Sequence, residues 1–213
     1  RSLLGREGGI DRPHVYLMQP YDPNRRIIVM LHGLASSPEA WVELANEILG
    51  DEALRQHYQI WQGYYPTNMP VALNHAMIRR ALGETLTHFD SSGQAPASSD
   101  LVLVGHSMGG LIARLMVSST DQSLVQLAAD HSRLTPQQIR RIDPMLRFEP
   151  FPNVSSAIFI AAPHRGTSVA GGRLGRWMAG FIRFPITVLE ELAHTLAPNA
   201  AASSRESLAT IPN

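Results

Sequence analysis

Cysteine is absent from the 213 residues, which excludes disulfides, thiolate nucleophiles and cysteine-ligated zinc and leaves the redox compartment open. Net charge is absent as well, since eighteen basic side chains balance eighteen acidic ones. There is then no electrostatic case for nucleic acid or for an acidic partner, and no basic stripe interleaved with aromatics argues otherwise. No apolar run is long enough to span a bilayer. The sequence also lacks a Gly-rich phosphate loop, a His-Glu-x-x-His pair and carboxylates at metal-ligand spacing, so neither a cofactor nor a metal is expected. The nine histidines are scattered. No charged-then-apolar signal segment follows Arg1; a leader removed before this point is the expectation, and the compartment stays open.

What is present concentrates in ten residues. Leu101-Val102-Leu103-Val104 reads as a strand buried on both faces, and Gly105-His106-Ser107-Met108-Gly109 follows it directly. Leu111, Ile112, Leu115 and Met116 then recur at helical spacing. Strand, Gly-x-Ser-x-Gly and helix together make a nucleophile elbow. Gly105 and Gly109 are needed because so sharp a reversal leaves no room for side chains two positions either side of the serine. Ser107 is the candidate nucleophile, with its hydroxyl projecting clear of the sheet.

A second apolar run, Arg26 to Leu31, ends in His32-Gly33-Leu34, upstream where an oxyanion loop has to lie. Acyl transfer needs donors aimed at the tetrahedral oxyanion, and backbone N–H groups of Leu34 and Met108 are the candidates. Gly33 lets the backbone approach the substrate. His32 reads as a packed histidine that shapes this loop, and His106 as part of the elbow lining.

These residues resemble the α/β-hydrolase superfamily, in particular its bacterial lipase/esterase-like branch. The resemblance rests on HGLASSPEAW (32–41), GHSMGG (105–110) and AAPHRGT (161–167), and covers roughly residues 14 to 170. It implies a parallel sheet with helices on both faces and a serine hydrolase acting on small-molecule or lipid esters through an acyl-enzyme.

The pattern along the chain agrees with that fold class. A length of 213 residues at 44% hydrophobic suits one domain, 1–213, with a sizeable core. An edge-like strand is expected at His14–Gln19 and buried strands at Ile27–Leu31, Tyr58–Tyr65 and Ala157–Ala161. Helices are expected at 38–49, with Ser37 as N-cap and Gly50 as terminator, and from about Leu73 to Phe89. Residues 90–99 read as a loop, and about 120–153 as an insertion with a short helix near Thr135-Pro136. Between 168 and 196, Leu174, Trp177, Met178, Phe181 and Ile182 face away from Arg173, Arg176 and Arg183. That basic amphipathic helix packs on the core, caps the pocket as a lid, or touches a membrane surface.

The difficulty lies in the rest of the triad. The family order is serine, acid, histidine, with the last two on loops after later strands. Asp121, Asp130 and Asp143 precede the next strand; His131 falls in the insertion and His194 on an amphipathic helix. His164 is the best-placed histidine for a base, but it occupies the lipase-like Pro-His-x-Gly position. The expectation is therefore a hydrolase sheet truncated before its last strands, with acid and base past Asn213. Two alternatives stay open: a hydrolase-fold binding or scaffold protein without a complete triad, and an acyltransferase or amide hydrolase built on the same elbow. Oligomeric state is not legible.

Overall fold

The computed structural model describes residues 13–120, 147 and 149–164. Three apolar runs form its centre: β2 (Arg26–Leu31), β3 (Tyr58–Tyr64) and β4 (Leu101–His106). With β1 (His14–Leu17) and β5 (Val154–Ile160) they make a five-stranded sheet in the order β1-β3-β2-β4-β5. Strands β2 to β5 run parallel, with Ile28 opposite both Ile60 and Val102.

Alternation along β2 explains the layers. Ile27, Val29 and Leu31 face one side, where α3 (Val71–Phe89) and α5 (Met108–Met116) bring Ile78, Leu82, Ile112 and Met116 against them. Ile28 and Met30 face the other, against Trp41 and Ala45 at the start of α1 (Val42–Gly50). A strand buried on both faces must be apolar at every position, which is why this one reads as an unbroken run. Arg26, its one exposed residue, pairs with Asp100 at 2.8 Å below β4.

The structure departs from the sequence expectation in several places. The sheet is mixed, because β1 lies antiparallel to β3. Residues 18–25 are too few for a helical crossover, so β1 has to run opposite to β2. The helix expected at 38–49 divides: Pro38–Trp41 is a 3₁₀ turn, and α1 follows. Ser37 is extended (φ −151°, ψ 172°) and its side chain makes no cap bond. Gly50 is the last residue of α1 rather than a stop beyond it. The backbone then restarts as α2 (Glu52–His57), because the Asp51 carboxylate accepts from the Leu54 N–H at 2.9 Å. Within the expected loop 90–99, Pro96–Ser99 form a short helix, α4.

β5 begins three residues ahead of the expected run, and it is not buried throughout. Ala157 and Phe159 pack towards the core, while Ile158 and Ile160 on the opposite face are 50% and 38% exposed. The insertion's residues 121–146 and the amphipathic stretch 168–196 lie outside the described residues, as do Asp121, Asp130, His131, Asp143 and His194.

Helix α3 carries two buried polar side chains near its start, Asn74 and His75. Burial, with Arg79 one turn away, lowers the His75 pKa from 6.5 to about 4. The unfolded chain therefore takes up a proton below pH 6.5 that the native chain refuses until about pH 4. Stability from this group is complete above pH 6.5 and is lost as pH falls towards 4, by on the order of 3 kcal/mol. Urea denaturation of His75→Gln should accordingly show a shallower loss between pH 7 and pH 4 than the parent. Parallel pH profiles would assign the acid sensitivity elsewhere.

Candidate active site

β2 and β4 are adjacent and parallel, so their C-terminal ends open side by side at one edge of the sheet. That edge is where an open α/β sheet offers a crevice. Ser107 stands between β4 and α5 with φ 53° and ψ −114°, a conformation that costs a non-glycine residue of order 1–3 kcal/mol. Two backbone bonds hold it there: its N–H donates to the Ile160 carbonyl at 2.9 Å, and its carbonyl accepts from Gly110 N–H at 3.1 Å.

The flanking glycines answer to close approach. A Cβ on Gly105 would lie 2.5 Å from the Gly109 carbonyl oxygen, and one on Gly109 would lie 2.1 Å from the Leu31 oxygen. The first turn of α5 is therefore pressed directly onto the end of β2. Gly110, which the sequence reading passed over, has the same constraint: its Cβ would sit 2.4 Å from that of Ala162.

Across the crevice, the loop after β2 faces the elbow. A Cβ on Gly33 would lie 2.8 Å from Nδ1 of the exposed His106 and 3.2 Å from the Ser107 Cβ. The backbone N–H groups of Leu34 and Met108 donate no hydrogen bond among the described residues. Among the described residues these two amides are therefore free to donate to a ligand. His32 is buried, and burial lowers its pKa, so the ring is neutral near pH 7. Its Nδ1 lies 3.0 Å from the Gly33 carbonyl, which can only accept, so the proton sits on Nδ1.

Ser107, Met108, Leu34, Gly33, Gly105, Gly109, His32 and His106 are therefore brought to one place. His164 is placed differently. It follows β5, is exposed, and sets its ring edge-on to Phe159 at 4.7 Å. Together with Val71, Leu111, Arg114, Leu115 and Phe159 it lines a groove of about 640 Å³ to which Ser107 does not contribute. No described side chain hydrogen-bonds the Ser107 hydroxyl, and no group of three or more described His, Asp or Glu residues is arranged to hold a metal ion. No helix among the described residues is long and apolar enough to cross a membrane.

Sequence reasoning missed Tyr65 and Thr67, which reach the loop after β2 from the end of β3. The Tyr65 hydroxyl donates to the His32 carbonyl, and the Thr67 hydroxyl oxygen accepts from Ala35 N–H at 3.2 Å. A signal was available, because the segment leaving a central parallel strand lies at the same sheet edge as the elbow.

Comparison with known proteins places the chain in a family. A profile of the Alpha/beta hydrolase family matches residues 28–212. The chain belongs to that family. Among solved structures, the mature lipase BlEst2 of Bacillus licheniformis is similar at 20% identity, over 77% of this chain and 53% of its own, with a TM-score of 0.46. Esterase 2 of Thermogutta terrifontis, phosphonylated by cyclosarin, is similar at 14% identity over 70% of this chain and 50% of its own, with a TM-score of 0.43. A lipase-esterase related protein from Clostridium acetobutylicum is 12% identical over 72% of this chain and 48% of its own, with a TM-score of 0.37. This hydrolase-family chain spans about half the length of those solved chains. No curated protein matches it significantly.

Opposite effects of one chemical change test the crowding at the elbow. Gly83, within α3, has nothing within 4 Å of a built Cβ, so Gly83→Ala should stabilise the fold by roughly 0.5–1 kcal/mol. Gly109→Ala should destabilise it by about 3 kcal/mol, because the obstacle is backbone and cannot rotate away. Chemical denaturation of both variants reads the difference directly. Equal effects would remove the claim that α5 is wedged against β2.

Proposed function

We propose that this chain carries the nucleophile and oxyanion hole of a serine hydrolase acting on carboxylic esters of small molecules or lipids. The observation that carries the reading is Ser107 at φ 53°, flanked by Gly105 and Gly109 and approached by Gly33, with the amides of Leu34 and Met108 donating no hydrogen bond among the described residues. In this mechanism the Ser107 oxygen attacks the ester carbonyl carbon while its proton passes to a base. The carbonyl oxygen becomes an anion held by the two N–H groups, each worth roughly 3 kcal/mol in the transition state. Collapse breaks the bond to the alcohol oxygen, which takes the proton and leaves. Water then hydrolyses the acyl-serine by the reverse sequence of proton transfers.

The base and its acid partner are assigned to residues outside those described, and His164, with its ring against Phe159, to shaping the neighbouring loop. For the amphipathic stretch 168–196 the reading stays packing on the core, with a lid over the pocket and then a lipid interface as its alternatives. A second reading has one observation in its favour: no described side chain engages the Ser107 hydroxyl. Under it the chain keeps a hydrolase pocket for binding and performs no turnover.

Ser107→Ala should leave the fold nearly unchanged and lower kcat on a short activated ester by several orders of magnitude, with loss of covalent labelling by a fluorophosphonate probe. Hydrolysis that survives the substitution would end the nucleophile assignment. An intact parent protein that binds esters but takes no label would select the binding reading.

A further inference from the structure

We propose that Tyr65 and Thr67, seated by Asn74, are positioning residues that aim the Leu34 N–H at the oxyanion. The proposal rests on the hydrolase reading above and deepens it.

Residues 32–35 leave the sheet edge as a loop with no strand partner, so something other than ladder hydrogen bonds must fix each peptide plane. The 32–33 peptide is fixed by the Tyr65 hydroxyl, which donates to the His32 carbonyl, and by the start of α5. A Cβ on Gly109 would lie 2.6 Å from that same carbonyl oxygen. The 33–34 peptide is fixed by His32 itself, whose Nδ1–H reaches the Gly33 carbonyl. No peptide here is cis, so C=O and N–H point in opposite directions, and pinning the Gly33 carbonyl aims the Leu34 N–H the other way. The imidazole can hold this bond only if its plane is fixed. Tyr65 does that too, stacking on it with centroids 4.3 Å apart and planes 9° apart. The following residue, Ala35, is held at φ 52° by the bond from its N–H to the buried Thr67 hydroxyl.

The brace is itself anchored. Asn74, fully buried on α3, donates to the carbonyls of Pro66 at 2.9 Å and Met69 at 3.3 Å. One amide side chain therefore ties the segment bearing Tyr65 and Thr67 to a helix of the core. None of these three residues need touch the substrate. Their effect passes through the direction of one N–H, so it should appear in the transition state and not in ground-state binding.

The test uses Tyr65→Phe, Thr67→Val and Thr67→Ser in the intact protein, with two readouts. On a short activated ester, Tyr65→Phe and Thr67→Val should each lower kcat by roughly 10- to 100-fold with KM within about twofold of the parent, since a misaimed donor is partly lost. Thr67→Ser, which keeps the oxygen, should recover most of the rate. Deuterium uptake by peptides spanning 31–37 should rise in the first two variants, while uptake across 101–116 stays as in the parent. Unchanged uptake in both segments overturns the brace, whatever the rates. A rise in KM equal to the fall in kcat/KM, or failure of serine to rescue, overturns positioning in favour of substrate contact or packing. If the parent hydrolyses no ester while uptake at 31–37 responds as expected, the brace stands and the hydrolase reading falls.

Discussion

The wedge between α5 and β2 is the constraint on which the site depends. With no side chain at Gly109, the helix backbone comes to within contact of the Leu31 and His32 carbonyls, and the serine and the loop after β2 are held at a fixed separation. Any larger residue would push the elbow away from the loop it must face. The adjacent parallel strands β2 and β4 supply the alignment, and their shared register at Leu31 and Gly105 places both turns at the same height. The buried strands fix where each turn starts, and side-chain bonds from Tyr65, His32 and Thr67 orient the loop beyond β2.

The two edges of the sheet handle polar groups differently. At the N-terminal edge, side chains close the loops: Gln59 donates to the carbonyls of Asp22 and Arg25 at 2.6 and 2.7 Å, and Asn153 donates to Ser98 at 2.8 Å. These bonds engage both donors of Gln59. At the C-terminal edge the carbonyls are engaged, by Tyr65 and His32, while the amides of Leu34 and Met108 are left open. Two N–H groups without a partner among the described residues, beside carbonyls that are engaged, suit a ligand bearing negative charge.

How much of this was legible in the sequence follows from how local each cause is. β2 and β4 could be read because a strand buried on both faces writes its burial at every position, and the elbow because Gly105 is forced by Gly109 and Gly110 a few residues on, although Gly109 answers to Leu31 and His32 far away in the chain. The antiparallel direction of β1 is set by a short connection, a topological fact that no periodicity records. The restart of the helix at Asp51 was hidden because Gly50 looks like a stop, whereas the cap that matters is a carboxylate one residue later. β5 looked buried because Ala157 to Ile160 is apolar throughout, yet its two faces have different surroundings in the structure. Tyr65 and Thr67 were missed for the same reason in its sharpest form: their partners lie 33 and 32 residues away, so only the fold brings them together.

That distance has a thermodynamic consequence for where strain can be kept. Ser107 and Ala35 are both held in the left-handed region, at φ 53° and 52°, and they face each other's segments across the crevice. Neither conformation is favoured by its own residue, so each persists only because bonds from elsewhere in the chain over-determine it. For Ser107 the holder is the end of β5, through Ile160; for Ala35 it is the end of β3, through Thr67. The two strained turns thus draw on opposite sides of the sheet, with β2 and β4 between them. Loosening one flank should leave the other turn intact, which makes the Ser107 turn and the loop after β2 separately held parts whose coincidence is fixed only by the central strands.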